Sequence, residues 1–323
     1  MRLRVVAAAL LFALVGGAAG AQNFPTRPIT LIVPFAAGGP SDTIGRLIAL
    51  GMSADLGQQV IVENIVGAGG TIALDRAAKA APDGYTILIS HVNHATAATL
   101  YRRLPYRSAD DFAPLGVATD GPMILLARPN FPAPTLRDLL QQMRAEGDRL
   151  TYGHAGVGSG SHLCGLMLFS TLQSRPTVAA YRGTGPALND LLGGQIDLLC
   201  DQLTNAISHV RGGRVRSYGL TSPQRLSALP DLPTLQEAGL QGFEVNIWHG
   251  LYAPAGTPRP IVERLSRALN AALADETIRA RFADLSTIAA GPDRANPEFH
   301  ARHLRAEIER WGEVIRAAGE YAD

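Results

Sequence analysis

Along the chain, short runs of β-branched and aliphatic residues alternate with longer stretches in which apolar positions recur every three or four residues. The run over 29–35 reads as a strand ending in the turn Ala36-Ala37-Gly38-Gly39-Pro40. The spacing of Ile44, Leu47, Ile48 and Met52 predicts a helix beginning after Ser41-Asp42. Residues 60–62 predict a second strand, the glycines of 67–70 a break, and a helix starts at Thr71. Asp83-Gly84 turns the chain into a third strand over 85–90. This is βαβαβ with nearly continuous apolar strands, the pattern of a parallel sheet buried on both faces.

The same grammar then restarts. Strands are predicted over 123–127, 150–152, 177–179, 196–200 and 214–220, with helices over 135–146, 161–172 and 186–192. Thr135 is the expected N-cap of the first of these, with Asp138 at N3. A strand over 243–253 returns to the first half, and helices near 260–274, 277–283 and 297–318 close the chain. The pattern predicts an α/β protein of two Rossmann-like lobes joined by a hinge. Lobe 1 is expected from 22–121 plus 246–323, and lobe 2 from 122–245. The crossings, near Asp120-Gly121-Pro122 and over 242–245, are hinge candidates. A ligand is expected between the lobes, outside the carboxyl ends of the strands.

Composition narrows the class. With 323 residues, 46% hydrophobic and 18% charged, the chain suits a globular protein and excludes a disordered one. The 29 basic and 28 acidic residues give a net charge of +1, too little cationic excess for a nucleic-acid surface. Arg2 and Arg4 precede an apolar stretch over 5–15 and then Ala19-Gly20-Ala21, an A-x-A pattern. These features read as a cleaved signal peptide over 1–21, cut after Ala21, that delivers the chain to a periplasm. Its removal leaves 27 basic against 28 acidic residues. Two cysteines, Cys164 and Cys200, are too few for a disulfide scaffold or a four-thiolate metal site. An oxidising compartment permits a bridge between them, but two buried thiols packing as small hydrophobes are the favoured expectation.

Two glycine-rich turns carry the functional signal. The first runs from Pro34 to Asp42; the second is Gly153-His154-Ala155-Gly156-Val157-Gly158-Ser159-Gly160-Ser161-His162, in the corresponding place of the second lobe. Glycines let backbone approach a ligand closely, and a helix start offers free N–H donors and about half a positive charge. Either loop alone could be a plain strand-to-helix connection; two in equivalent places point to a pincer for an anion. No lysine follows either loop, as a phosphate cradle would require, and position 161 is serine where a dinucleotide fingerprint needs glycine. A carboxylate fits better. Four or five charge-assisted hydrogen bonds at about 1.5–3 kcal/mol each reach the ~8 kcal/mol of a micromolar ligand.

Several motifs together resemble a known family. The start Phe24-Pro25-Thr26-Arg27-Pro28-Ile29, the turn Pro34-Phe35 to Gly38-Gly39 with Asp42, and Pro82-Asp83-Gly84-Tyr85-Thr86 are similar to the substrate-binding receptors of tripartite tricarboxylate transporters, the Bug-type periplasmic proteins. So are the Ala155-Gly156-Val157-Gly158-Ser159 to His162 loop, Leu191-Leu192-Gly193-Gly194-Gln195-Ile196-Asp197, Leu229-Pro230-Asp231-Leu232-Pro233-Thr234, and Trp248 with Gly256-Thr257-Pro258. The resemblance implies a periplasmic-binding-protein (Venus-flytrap) architecture closing on a small organic carboxylate or amino acid, a monomer that serves cognate membrane transporter subunits and needs no cofactor. By position it implies ligand contacts from Phe35, Ala36, Gly38, Gly39 and Asp42, with Asp42 organising its loop, and from Gly156, Gly158 and Ser159. The polar turn Ser90-His91-Val92-Asn93-His94 would lie near the cleft, contributing Ser90, Asn93 and His94, and His162 would flank the second loop. Tyr181 and Asp201 would face the distal end of the ligand, where an acidic Asp201 would suit a cationic group. Cys164, Cys200 and Ala36-Ala37 depart from the family's common residues.

Other constellations weigh less. His91 with His94, and His300 with His303 on a helix expected to be charged and solvated, lack a third ligand at a metal-binding spacing. Ser159 with His162 hints at a serine-dependent hydrolase, but there is no G-x-S-x-G elbow. A sensor adaptor that reports occupancy to a membrane signalling partner would show the same pocket. Trp248 reads as a packing residue at the hinge.

Overall fold

A computed structural model describes residues 24–319 and 321–322; the expected leader lies outside the described residues. The apolar runs form strands β1 (Ile29–Val33), β2 (Val60–Asn64) and β3 (Thr86–Ser90), with β1 parallel to both others. Between them run α1 (Pro40–Leu56) and α2 (Thr71–Ala78). α1 starts at Pro40, two residues ahead of Asp42, because proline at N1 lacks only an N–H that would be unpaired there anyway. After β3, α3 (Val92–Leu100) is a helix the periodicity missed: seven of its nine residues are buried, so it shows no polar face.

The second half repeats the plan. It contains α4 (Leu136–Glu146), β5 (Thr151–His154), α5 (Gly160–Leu172), β6 (Thr177–Ala180), α6 (Thr184–Leu192), β7 (Leu198–Gln202), α7 (Leu203–Arg211) and β8 (Arg216–Leu220), with β5 parallel to β6 and β7. Thr135 and Asp138 form the reciprocal cap expected for α4: the Asp138 N–H donates to Thr135 Oγ1 at 3.2 Å and the Thr135 N–H to Asp138 Oδ2 at 3.1 Å. α7 was also missed, since it follows β7 with no turn residue between them.

One strand joins the halves. The apolar run expected over 123–127 is only the end of β4 (Phe112–Ala127), a 16-residue strand. Its first part pairs antiparallel with β9 (Asn246–Pro254), from Phe112↔Pro254 to Pro122↔Asn246, and its last part with β7 and β8. Pro114, Gly116 and Pro122 hide it from the hydrophobic pattern; its register shifts between Pro114 and Gly116 absorb residues that a regular ladder rejects. The strand order is β2-β1-β3-β9-β4-β7-β5-β6, two parallel groups joined edge to edge through antiparallel β9 and β4. α8 (Arg259–Ala274), α9 (Glu276–Asp284), the short β10 (Ile288–Ala289) and α10 (Pro297–Ala318) complete the first lobe.

Two expectations are corrected. α10 is solvated on one face only: His300 is wholly buried beneath Gly250, and Glu307 accepts from the indole N–H groups of Trp248 and Trp311 at 3.1 and 3.0 Å. Cys164 and Cys200 are not free thiols but a disulfide. Cys164 lies on the face of α5 turned toward β7, with a Cα–Cα separation of 6.3 Å, inside the range a bridge requires.

Candidate functional site

The first turn is shaped by its own carboxylate. Gly38 takes φ +80° and its N–H donates to Asp42 Oδ2 at 2.9 Å. Asp42 also accepts from Arg46 Nε and Asn64 Nδ2, both at 3.0 Å. Burial alone would push its carboxyl up, but Arg46, the Gly38 N–H and Asn64 outweigh burial and hold it below the usual range. Gly39 then caps α1 and Ser41 enters the first helical turn, its hydroxyl 3.1 Å from His249 Nε2. Thr119 Oγ1 lies 3.2 Å from the other ring nitrogen of His249. Phe35 stacks flat on His91 at 4.7 Å. Burial lowers the pKa of both histidines, to about 3 for His249, so both rings are neutral at physiological pH.

The second turn depends on left-handed glycines. Gly156 and Gly158 take φ +101° and +85°. Ser159 caps α5; its hydroxyl donates to the Gly156 carbonyl at 2.6 Å and accepts the His162 N–H at 3.3 Å. Ser161 Oγ accepts the Ala155 N–H at 2.9 Å, and Tyr152 donates its hydroxyl to the Ser161 carbonyl at 2.6 Å. The disulfide fastens α5 to β7, the strand that ends at Gln202.

Each turn touches the opposite lobe. The Ala36 N–H donates to the Arg182 carbonyl at 2.9 Å, and Thr96 Oγ1 to the Gly158 carbonyl at 2.9 Å. Backbone touches backbone at Gly69, where a Cβ would lie 1.8 Å from the Val157 oxygen. Between the turns is a cavity of about 20 Å³. Phe35, Gly39, Pro40, Ser41 and His91 line one side, and Met123, Ala155, Ser159, Gly160, Ser161, Thr184 and Gln202 the other. The polar liners sit at helix starts: Ser41 on α1, His91 capping α3, Ser159 and Ser161 on α5, Thr184 opening α6 and Gln202 capping α7. No lysine or arginine is among them. Five helix N-termini around one small space supply positive potential and N–H donors without a cation, an arrangement suited to a compact anion.

Of the residues singled out from sequence, Phe35, Gly39 and Ser159 line the cavity. Ala36, Gly38, Asp42, Gly156 and Gly158 shape the turns or their contact. Ser90 and Asn93 build the start of α3: Ser90 Oγ donates to Asn93 Oδ1 at 2.9 Å, and Asn93 Nδ2 to the Gly69 carbonyl at 3.3 Å. His94 lies in the lobe 1 core against Phe112 and Tyr252, its Nε2 3.0 Å from the Ser108 carbonyl oxygen, and burial drives its pKa to about 3. Tyr181 donates its hydroxyl to Asp190 Oδ2 at 2.7 Å. Asp201 is fully buried one residue behind the cavity wall. Its Oδ1 accepts the Gln202 N–H at 2.8 Å and its Oδ2 accepts from Asn205 Nδ2 at 2.6 Å; burial pushes its carboxyl up to about 6 despite Thr184 and these two donors.

Sequence reading missed Ser41, His91, Ser161, Thr184 and Gln202 as wall residues. Ser161 and Thr184 follow glycine and Ser41 follows Gly39-Pro40 at helix starts, a signal that was present; His91 lay in the polar turn expected near the cleft, and nothing marked Gln202. Ser159 and His162 do not form a nucleophile–base pair. The serine proton points to the Gly156 carbonyl, and His162 Nδ1 accepts the Gly158 N–H at 3.3 Å.

The family described as "Tripartite tricarboxylate transporter family receptor" matches residues 44–320. The structure is similar to that of the periplasmic binding protein BugD, with 42% identity and a TM-score of 0.91, covering 93% of this chain and 100% of that one. It is similar to MatC from Rhodopseudomonas palustris with bound malate, at 43% identity and a TM-score of 0.88, covering 90% and 100%. A second R. palustris protein, Rpa4515 with adipate, matches at 34% identity and a TM-score of 0.86, covering 92% and 98%.

Proposed function

The chain belongs to the tripartite tricarboxylate transporter receptor family, and from that premise we propose that it captures a small carboxylate in the cavity between its lobes and delivers it to cognate membrane subunits from the periplasm, after cleavage behind Ala21. The family is one of solute-binding receptors, not enzymes. The lobe limits 22–121 with 246–323 and 122–245, and action as a monomer, are part of the same proposal.

One observation carries the reading: five helix N-termini converge on a cavity that holds no cationic side chain. A carboxylate suits such a wall, being small, flat and satisfied by a few N–H and hydroxyl donors. Bound malate in MatC and adipate in Rpa4515 support a ligand of this class. Because the turns come from opposite lobes, the ligand stabilises the closed form by touching both.

Calorimetric titration of the mature protein with malate and with adipate tests the reading, together with native mass spectrometry for a co-purified small acid. Ser159→Leu, which puts a branched side chain where a hydroxyl caps α5, is expected to abolish binding while the circular dichroism spectrum stays unchanged. Unaltered affinity in that variant would refute the pincer.

A further inference from the structure

The site contains one feature that opposes its own chemistry. Asp201, next to last in β7, is wholly buried, and the groups that act on its carboxyl are neutral: Thr184, Asn205 and the Gln202 N–H. Gln202 and Thr184 are themselves cavity wall. The Thr184 hydroxyl, at the first turn of α6, is buried and faces the Asp201 carboxyl. An ionised carboxylate directly behind a wall built for anions repels the ligand, in a dry setting where the repulsion is poorly screened. Both its oxygens are already engaged and neither reaches the cavity, so it is not placed to pair with an ammonium group.

We propose that Asp201 takes up a proton when a small carboxylate binds, so that capture of the anion is coupled to neutralisation of the carboxyl behind the wall. The inference rests on the carboxylate reading above. The proton comes from the buffer and adds to an Asp201 oxygen; no other bond breaks. The new O–H can donate to Thr184 Oγ1, and the Thr184 O–H is then free to donate to the ligand. The starting point suits this role, since burial already holds the free carboxyl at about 6. A ligand charge on the other side of the wall, in surroundings that screen it poorly, raises it further.

Nothing else nearby competes between pH 6 and 8. On the elements packed against Asp201, β4 presents Ile124, α6 Thr184, α7 Asn205 and β5 Tyr152, whose phenol burial keeps neutral. Around the cavity, His91 and His249 are neutral through burial, His154 is lowered, and His162 is lowered to about 4. Asp42 stays ionised, held below the ordinary carboxylate range.

The test is calorimetry of the mature protein with malate and with adipate at pH 6, 7 and 8, in paired buffers of different ionisation enthalpy. The expected result is uptake of close to one proton per acid at pH 7, and affinity on the order of tenfold or more weaker at pH 8 than at pH 6. Asp201→Asn should take up no proton and bind at pH 8 as tightly as at pH 6. Zero uptake with a flat affinity in the wild type overturns the inference while leaving the carboxylate reading intact. So does proton release, or weaker binding by Asp201→Asn at pH 8, either of which would make Asp201 a counter-ion for a cationic group. If neither acid binds at pH 6, the carboxylate reading fails and the inference falls with it. The wild-type proton count decides the matter even if the variant does not fold.

Discussion

At the scale of single residues, the molecule separates groups that touch the ligand space from groups that make the touching possible. The glycine turns were legible because no other residue type tolerates their backbone angles at so little cost. The wall residues were less so, since a hydroxyl beside a helix start looks the same whether it faces solvent, core or cavity. Gly69 shows what close approach demands: it takes φ +60° and a Cβ there would strike the Val157 oxygen. Gly69→Ala should cost the ligand-free protein only about 1 kcal/mol, the penalty of a left-handed alanine, while weakening ligand binding at least tenfold because the lobes cannot meet. Chemical denaturation and titration of the same variant separate the two effects. Asp201 makes a different prediction in the absence of ligand. Its folded pKa, about 6, lies above that of an unfolded aspartate, so its favourable contribution is present below about pH 4 and lost as pH rises through 6. Asp201→Asn should therefore be more stable than wild type at pH 8, by roughly 2–3 kcal/mol, with no advantage at pH 4. Urea melts at the two pH values measure this, and an equal difference at both would show that the carboxyl is not charged in the native state at pH 8.

At the scale of elements, periodicity recovered most helices and strands but failed wherever burial was complete or a strand was irregular. α3 and β4 are the instructive misses: one is covered on nearly every side, and the other carries prolines that a sheet accepts only at bulges or ends. The same limit hid the disulfide, since pairing depends on which face of α5 Cys164 occupies, and that helix is apolar almost all round. The bridge closes a sequence separation of 36 residues and fastens α5, which presents Ser159 and Ser161, to β7, which ends at Gln202. Loop-closure entropy puts its contribution at about 3–4 kcal/mol. Replacing both cysteines by alanine should lower stability by roughly that amount, read as a fall in the urea midpoint. An unchanged midpoint would mean that packing alone sets α5 against β7.

At the scale of the whole molecule, the proposed function makes closure the event that matters. The two-lobe plan was visible in the sequence as a repeated βαβ grammar, but the closeness of the lobes was not, because it is created by backbone meeting backbone. Ala36 and Gly183 face each other across the cleft beside the Ala36–Arg182 hydrogen bond, and a Cβ built on Gly183 lies 3.2 Å from that of Ala36. That is a few tenths of an ångström inside the usual span of a disulfide, a gap a small hinge movement supplies. Gly183 has φ 161°, extended backbone that cysteine adopts freely. The double variant Ala36→Cys, Gly183→Cys should therefore staple the lobes when oxidised. Oxidation without ligand is expected to exclude malate, and oxidation with malate present to trap it through gel filtration; a reductant should restore binding in the first case and release malate in the second, the buried Cys164–Cys200 pair being shielded. Free exchange of ligand through the oxidised staple would mean that entry does not require the lobes to part, and the cleft would then be a pore rather than a trap.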